Sequence, residues 1–242
     1  MSTLAQRLRV DAARQWLPVL TLLALAAVVG TVTPQFLTLG SLLVLAADTA
    51  TLFVLATGVT FVIMLGGIDL SIQAMASLSS VVVALTVGRL GYGSLPFAVL
   101  IGVVAGFMGG LAHVRLKIPS FIATLAVGGV LAGTALVISG ARSITLGEAE
   151  RAYLSWVTGT TLGLPHEVLI GIGVLALAYL LEGRTRFGRY SAAIGAGEAA
   201  AYASGVRVGR QKVLALTLSG GLAAFAGVIL AGRLSSGSPT LA

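Results

Sequence analysis

Two carboxylates lie inside apolar sequence, and they are the residues best suited to chemistry in this chain. Asp48 and Asp69 are each surrounded mostly by aliphatic and small residues. A carboxylate inside a membrane is costly, and it often belongs to a proton or ion pathway. The same residue can also act only in structure, by accepting hydrogen bonds. For Asp48 the sequence indicates no particular partner, so a bond to Thr49, Thr51 or a neighbouring helix is as well supported as a functional role.

The surroundings of Asp69 predict a break between two helices. The motif reads Gly66, Gly67, Ile68, Asp69, Leu70 and Ser71. Two glycines weaken a helix, whereas Asp and Ser accept hydrogen bonds from the free amides at the start of the next one. We therefore expect Asp69 to cap a helix that begins near Leu70. This structural role is favoured over proton or ion binding.

Other kinds of chemistry find no support in the sequence. His113 and His166 stand at the ends of different apolar runs and the chain has no cysteine, so no metal site is predicted. Neither the HExxH pattern of metalloproteases nor the GxxxxGK[ST] nucleotide loop occurs. An aspartyl protease would need a second aspartate in a context that matches Asp69. We expect no catalytic residue and no cofactor, and thus a protein that is not an enzyme.

The composition predicts an integral membrane protein. Of the 242 residues, 57% are hydrophobic and 10% are charged, against about a quarter charged in ordinary soluble domains. A net charge of +7 would indicate nucleic-acid binding in a soluble domain, but here the basic residues cluster between apolar runs. They indicate membrane topology, and no nucleic-acid partner is expected.

Seven apolar runs are candidate membrane-spanning helices. They cover residues 16–33, 41–65, 70–87, 94–112, 119–138, 167–181 and 213–231. Seven crossings from a cytoplasmic N-terminus place eleven of the fifteen basic residues inside the cell, in agreement with the positive-inside rule. We therefore expect an all-α, polytopic membrane helix bundle that forms one domain over residues 1–242.

The stretch from residue 182 to residue 212 predicts a docking element on the cytoplasmic side. Six basic residues lie at its two ends, around an Ala-rich centre at residues 190–204. Alanine favours helix, so we expect a short helix there. Gly205 stands where a left-handed helix cap is expected. The alternative is an ordinary basic loop that its charge retains in the cytoplasm.

Three stretches of the chain follow one another in a recognisable order. The first is residues 62–72 around the Gly-Gly-Ile-Asp-Leu-Ser motif, the second is residues 118–125 with 139–144, and the third is residues 185–206. Together they resemble the permease subunits of ATP-binding-cassette (ABC) importers for ribose, xylose and related monosaccharides. The resemblance extends from about residue 16 to the end of the chain.

This resemblance implies a function and a set of partners. Such a permease is a multi-pass protein of the plasma (inner) membrane that conducts a monosaccharide and needs no cofactor. Two copies, as a homodimer, enclose the path; cytoplasmic ATP-binding subunits hydrolyse ATP, and an external sugar-binding protein delivers the substrate. In this chain residues 194–205 would be the coupling helix that enters a groove of the ATPase. The residues implied in coupling are Ile194, Gly195, Gly197, Glu198, Ala199, Ala200, Ser204 and Gly205.

Two other functions stay open. Permeases of this family usually continue for several tens of residues beyond the equivalent of Pro239, whereas this chain ends at Ala242, so we expect C-terminal helices to be missing. A truncated remnant would insert into the membrane without transporting. The other alternative is an ion-coupled secondary transporter that uses Asp48 or Asp69, and it would work without an ATPase.

Overall fold

Long apolar helices make up most of the structure. The computed structural model describes residues 2–240, with side chains from residue 16 onwards. The long helices are α1 (Ser2–Val32), α2 (Leu39–Ile63), α3 (Ile72–Leu90), α4 (Ser94–Leu116), α5 (Ser120–Ser139), α8 (His166–Arg184) and α11 (Val208–Leu234). The short helices are α6 (Glu148–Ala152), α7 (Ser155–Thr158), α9 (Arg186–Ala196) and α10 (Glu198–Ala203).

These helices confirm the all-α membrane bundle. Five segments of the described chain are long and apolar enough to cross a membrane. One of them, Ile72–Leu116, is two helices, because the chain turns at Gly91 with a φ of +54°. Trp16–Val32 is a further apolar helical segment. Each of the seven predicted runs therefore overlaps one long helix, while the side of the membrane on which each end lies stays a prediction.

The chain divides into two compact units, Met1–Ala46 and Ala47–Ala242. In the first unit, α1 exposes many of its large apolar side chains, as expected of a helix surrounded by lipid. The second unit contains the packed core and all the residues of the candidate site. Whether the chain acts as one functional domain stays a prediction.

Helix α11 lies at the centre of the second unit and packs most extensively against α4 and α3. Glycines on α4 make the α4 contact close. A Cβ at Gly102 or Gly106 would collide with carbonyl oxygens of α11, and one at Gly110 would lie 2.9 Å from the Cα of Val213. Small residues of this kind let helix backbones approach closely in lipid. The 32 glycines of the sequence are partly explained by this contact.

The residues after α11 run back along α3. Strand β4 (Ser236–Gly237) pairs antiparallel with β1 (Ile144–Thr145). The main-chain N–H of Ser238 donates a hydrogen bond to the Oγ of Ser80 at 3.2 Å. This return places residues 239–240 beside the first turns of α3. A second short ribbon, β2 (Thr160–Thr161) with β3 (Leu164–Pro165), precedes α8.

Candidate functional site

The chain between α2 and α3 is not helical, as the two glycines predicted. Gly66 adopts a left-handed conformation with a φ of +74°, which costs glycine little. The N–H of Gly66 donates to the carbonyl of Ile63 and that of Gly67 to the carbonyl of Val62, at 2.9 and 3.0 Å. Residues 68–71 then continue without helical structure. We call residues 66–71 the membrane break.

Asp69 is the anchor of the membrane break. It is 4% exposed. Its Oδ1 accepts hydrogen bonds from the N–H and the hydroxyl of Ser71 at 2.9 and 2.6 Å, and its Oδ2 accepts one from the hydroxyl of Ser219 at 2.7 Å. All three donors are neutral. The arrangement agrees with the structural role that the sequence favoured.

The predicted position of the cap was wrong. Helix α3 begins at Ile72 and its N-cap is Ser71, whose side chain makes no capping hydrogen bond. Asp69 instead accepts the amide two residues ahead, a bond that favours a turn over a helix. The physical reason is local competition: this bond holds the chain out of the helix until Ile72.

Side chains of α5 bind the main chain of the membrane break. Ser120 accepts a hydrogen bond from the N–H of Ile68 at 2.9 Å, and Thr124 accepts one from the N–H of Leu70 at 3.0 Å. Non-helical backbone inside a membrane protein is tolerated where such partners satisfy it. The first and second stretches of the family resemblance therefore fold against each other.

The third stretch contains two helices, so the single helix predicted over residues 190–204 was wrong. Helices α9 and α10 are separated at Gly197, which is extended with a φ of 175°. Glycine weakens a helix by about 1 kcal/mol relative to alanine. The Ala-rich composition of the whole segment concealed this local weakness. We call Gly197 and the residues on either side of it the surface break.

The predicted left-handed cap at Gly205 is confirmed. Gly205 has a φ of +86°. Its N–H donates to the carbonyl of Tyr202 at 2.9 Å, and the N–H of Val206 donates to the carbonyl of Ala201 at 3.0 Å. These two bonds form the Schellman arrangement that closes a helix at a glycine. The end of α10 is therefore well defined.

Gln211 fixes α9 to α11, and the sequence analysis did not single it out. It is 5% exposed. Its side-chain amide donates to the carbonyl of Phe187 at 2.7 Å and to the hydroxyl of Ser191 at 2.9 Å. The spacing of the buried residues Val208, Gln211 and Ala215 is helical. That periodicity places Gln211 on the inner face and could have identified it.

The residues implied in coupling do not all face the same way. Ile194 is 3% exposed and packs in an apolar cluster with Phe61 and Leu65, so it anchors the segment. Gly197 is partly exposed, and the others are exposed: Gly195, Glu198, Ala199, Ala200, Ser204 and Gly205. Tyr202 is 74% exposed among them, and the sequence analysis did not name it.

Residues from all three stretches line one cleft of about 400 Å³. The lining includes Gly67 of the membrane break, Ser120 at the start of α5 and Gly195 near the end of α9. Gly195 lies so close to the end of α2 that a Cβ there would collide with the carbonyl oxygen of Met64. At the edge of the cleft the Nζ of Lys212 donates to both carboxylate oxygens of Glu198 at 2.8 Å.

Asp48 has a partner that the sequence did not indicate. Its carboxylate forms an ion pair with the guanidinium group of Arg233, which connects α2 to the end of α11. As for metals, the described residues contain no group of three or more His, Asp or Glu side chains placed to hold an ion. His113 contacts the carbonyl of Ile118, and His166 contacts that of Trp156.

The fold and the site define a class: a multi-pass membrane protein in which a non-helical connection between two long helices, anchored by a buried aspartate, lies beside a pair of short, largely exposed helices. The family comparison makes the class specific. Residues 41–242 match the family described as branched-chain amino acid transport system / permease component. The chain belongs to this family of permease components.

Curated relatives agree with this assignment. The chain is 35% identical over 225 residues to the ribose import permease protein RbsC of Haemophilus influenzae, an alignment that covers 91% of this chain and 70% of that protein. It is 37% identical over 246 residues to RbsC of Bacillus subtilis, an alignment that covers 99% of this chain and 76% of that protein. It is 32% identical to the L-arabinose transport system permease protein AraH of Escherichia coli, an alignment that covers 76% of this chain and 56% of that protein. No solved structure was found to match.

Proposed function

We propose that this chain is the membrane-spanning permease subunit of an ATP-driven ABC importer in the plasma membrane, and that its substrate is a monosaccharide similar to ribose. The family description names branched-chain amino acids, but the relatives described above are ribose and arabinose permeases. The observation that carries the proposal is the meeting of the three stretches in one cleft. That cleft joins the membrane break to the exposed surface of α10.

The ATP-binding subunit docks on α10 and the residues around it. Docking needs an exposed surface that a partner can approach closely, and Ala199, Ala200 and Ser204 are exposed and small. Tyr202 adds an exposed aromatic side chain, a residue type that often dominates binding energy at interfaces. Ile194 and Gln211 hold the segment in place from beneath. ATP hydrolysis belongs to the partner, because this sequence has no nucleotide-binding P-loop.

A second copy of the chain and an external sugar-binding protein complete the importer. Ile68 and Leu70, in the membrane break, are 52% and 48% exposed. Asp69 between them is buried, so the two apolar side chains project from the surface of a single copy. A homodimer would enclose this surface as the wall of a path. The sugar-binding protein supplies substrate at the outer end.

The ion-coupled alternative is not favoured. Asp48 is paired with Arg233, and Asp69 is satisfied by three hydrogen bonds from Ser71 and Ser219. Both carboxylates therefore have partners within the chain, which supports a structural role for each. The aligned part of this chain covers 70% and 76% of the two RbsC proteins, so an uptake measurement is needed to separate a working permease from a remnant.

The test is capture of the cognate ATP-binding subunit by the tagged chain, together with ATP-dependent uptake of labelled ribose. Ala200→Trp enlarges an exposed residue of α10 and should abolish both capture and uptake while leaving membrane insertion intact. Ala192→Trp is the matched control, because Ala192 is an exposed alanine of α9 outside residues 194–205. It should leave capture within about twofold of the unmodified chain.

Undiminished capture by Ala200→Trp would show that residues 194–205 are only a basic loop. Uptake that does not need ATP would favour the secondary transporter. Insertion and capture without any uptake would identify the chain as a remnant.

A further inference from the structure

A second cavity, of about 690 Å³, begins at Leu70 of the membrane break. It lies between the first turns of α3, the middle of α5 and residues 239–240. Its volume is in the range of sites that hold small organic ligands. We propose that this cavity is a monosaccharide-binding site of the permease, with the side-chain amide of Gln73 as its principal polar contact. The proposal rests on the sugar-import function proposed above.

The polar groups of the cavity suit a neutral ligand rich in hydroxyl groups. Gln73 and Ser77 are one helical turn apart on the same face of α3, and both line the cavity with Thr240. Amide and hydroxyl groups both donate and accept hydrogen bonds, as sugar hydroxyls do. None of the lining residues is charged. A zwitterionic amino acid or an ion would leave its charges unpaired in such surroundings, at a high cost in free energy.

The α5 side of the cavity leaves room for a ligand. Gly129 of α5 has nothing within 4 Å of the position that a Cβ would occupy, and it lines the cavity. Its neighbour Gly128 packs instead against Ser71, which fixes α5 beside the membrane break. The cavity is therefore bordered by open helix backbone at Gly129 and by the side chain of Gln73.

The position of the cavity relates it to the transport path. Non-helical backbone in a membrane protein is found where it is buried in protein or lines a cavity, and substrates of transporters often bind beside such backbone. Here Leu70 is the boundary: its N–H is bound by Thr124, while its half-exposed side chain faces the cavity. A sugar bound beside Gln73 would therefore also lie close to the side chain of Leu70.

The first experiment measures ribose uptake kinetics in the assembled importer. Gln73→Leu should raise KM about fivefold with kcat nearly unchanged, because one hydrogen bond to the sugar is lost. Gln35→Leu is the matched control, since Gln35 is exposed and lies outside the cavity, between α1 and α2. Equal KM values for Gln73→Leu and the unmodified chain would overturn the assignment of Gln73.

The second experiment detects binding without transport. The chain has no cysteine, so a cysteine placed at Ala132, which lines the cavity, can be labelled alone with N-ethylmaleimide. Ribose should slow this labelling, and adding Gln73→Leu should raise the ribose concentration needed about fivefold. Ala203→Cys on exposed α10 should label at a rate that ribose does not change.

The two experiments distinguish failure of the binding site from failure of the proposed function. No protection of Ala132→Cys by ribose overturns the site, even if the importer takes up ribose. Protection by leucine in place of ribose also overturns it, and would assign the cavity to an amino acid. Absence of ribose uptake by the unmodified importer counts against the proposed function alone, because protection by ribose is measured without ATP or partners.

Discussion

The membrane break and the surface break are both non-helical connections between helices, but their backbone groups are stabilised differently. At the membrane break, the N–H groups of Ile68 and Leu70 are bound by side chains more than 50 residues away. At the surface break, the N–H of Gly197 donates to the carbonyls of Ala193 and Ile194 in the preceding turn. The amides of Ile68 and Leu70 are therefore held by long-range contacts, whereas the amide of Gly197 is held by local ones.

The difference follows from burial. Gly197 is partly exposed, so water can satisfy backbone groups near it. Asp69 is 4% exposed, and buried polar groups need protein partners, so the amides beside it are bound by side chains of α5. We therefore expect changes at the membrane break to cost more stability than changes at the surface break, and the following predictions are ordered by that expectation.

The largest effect is expected from Asp69→Leu. The substitution leaves three buried donors of Ser71 and Ser219 without an acceptor, at a cost of about 3 to 5 kcal/mol in the free energy of unfolding. The measurement is the thermal midpoint of the purified chain in detergent, with the amount of inserted protein as a second readout.

Asp69→Asn is the control for charge. Its amide oxygen can accept the two bonds from Ser71, and its NH₂ group can donate to the hydroxyl of Ser219. Stability should therefore fall by about 1 kcal/mol or less. If both variants insert at normal levels and both lose transport completely, the carboxylate charge itself is needed and the structural role of Asp69 is wrong.

The second prediction concerns Thr124→Val. It keeps the shape of the side chain but removes the acceptor for the N–H of Leu70, which should cost about 1 to 3 kcal/mol. Thr134→Val on the same helix is the matched control, because the exposed hydroxyl of Thr134 binds only the carbonyl of Val130 one turn back. Equal thermal midpoints for the two variants would contradict a special role for Thr124.

Part of this contrast could be predicted from the sequence, because some signals are local. Gly66 and Gly67 indicated the membrane break, and Gly205 indicated a left-handed cap, since each conformation is determined by the residue itself. The partners Ser120, Thr124 and Ser219 could not be predicted, because they lie 52 to 150 residues from the groups they bind. No pattern along the chain links them.

The wrong sequence-based predictions also arise because tertiary contacts are not visible in the local sequence. Composition averaged over residues 190–204 predicted one helix, whereas a single glycine, Gly197, decides the structure. Ile194 was grouped with the residues implied in coupling, but the fold buries it with Phe61 and Leu65. Burial depends on which helix packs beneath a residue, and that is a property of the tertiary structure. The ion pair between Asp48 and Arg233 was missed for this reason too.

The third prediction concerns Gly205→Ala, at the end of the helix α10 that follows the surface break. Gly205 has a φ of +86° and nothing within 4 Å of a Cβ position, so the cost is purely conformational, about 1 to 2 kcal/mol. Gly183→Ala is the control, because Gly183 is inside α8 and also has open space. It should leave the thermal midpoint unchanged or raise it. A rise for both variants would show that the left-handed cap does not matter.

The smallest effect is expected at the ion pair between Glu198 and Lys212. The two side chains are 55% and 20% exposed, and pairs of this kind contribute about 0 to 1 kcal/mol because water and salt screen them. Glu198→Gln should therefore change the thermal midpoint little, and the change should shrink at high salt. Lys212→Met removes the same ion pair and should change the thermal midpoint by a similar amount. The double variant should change the thermal midpoint little more than either single variant does. A loss as large as that of Asp69→Leu would mean that the surface break also depends on a tertiary contact, and the contrast between the two breaks would no longer hold.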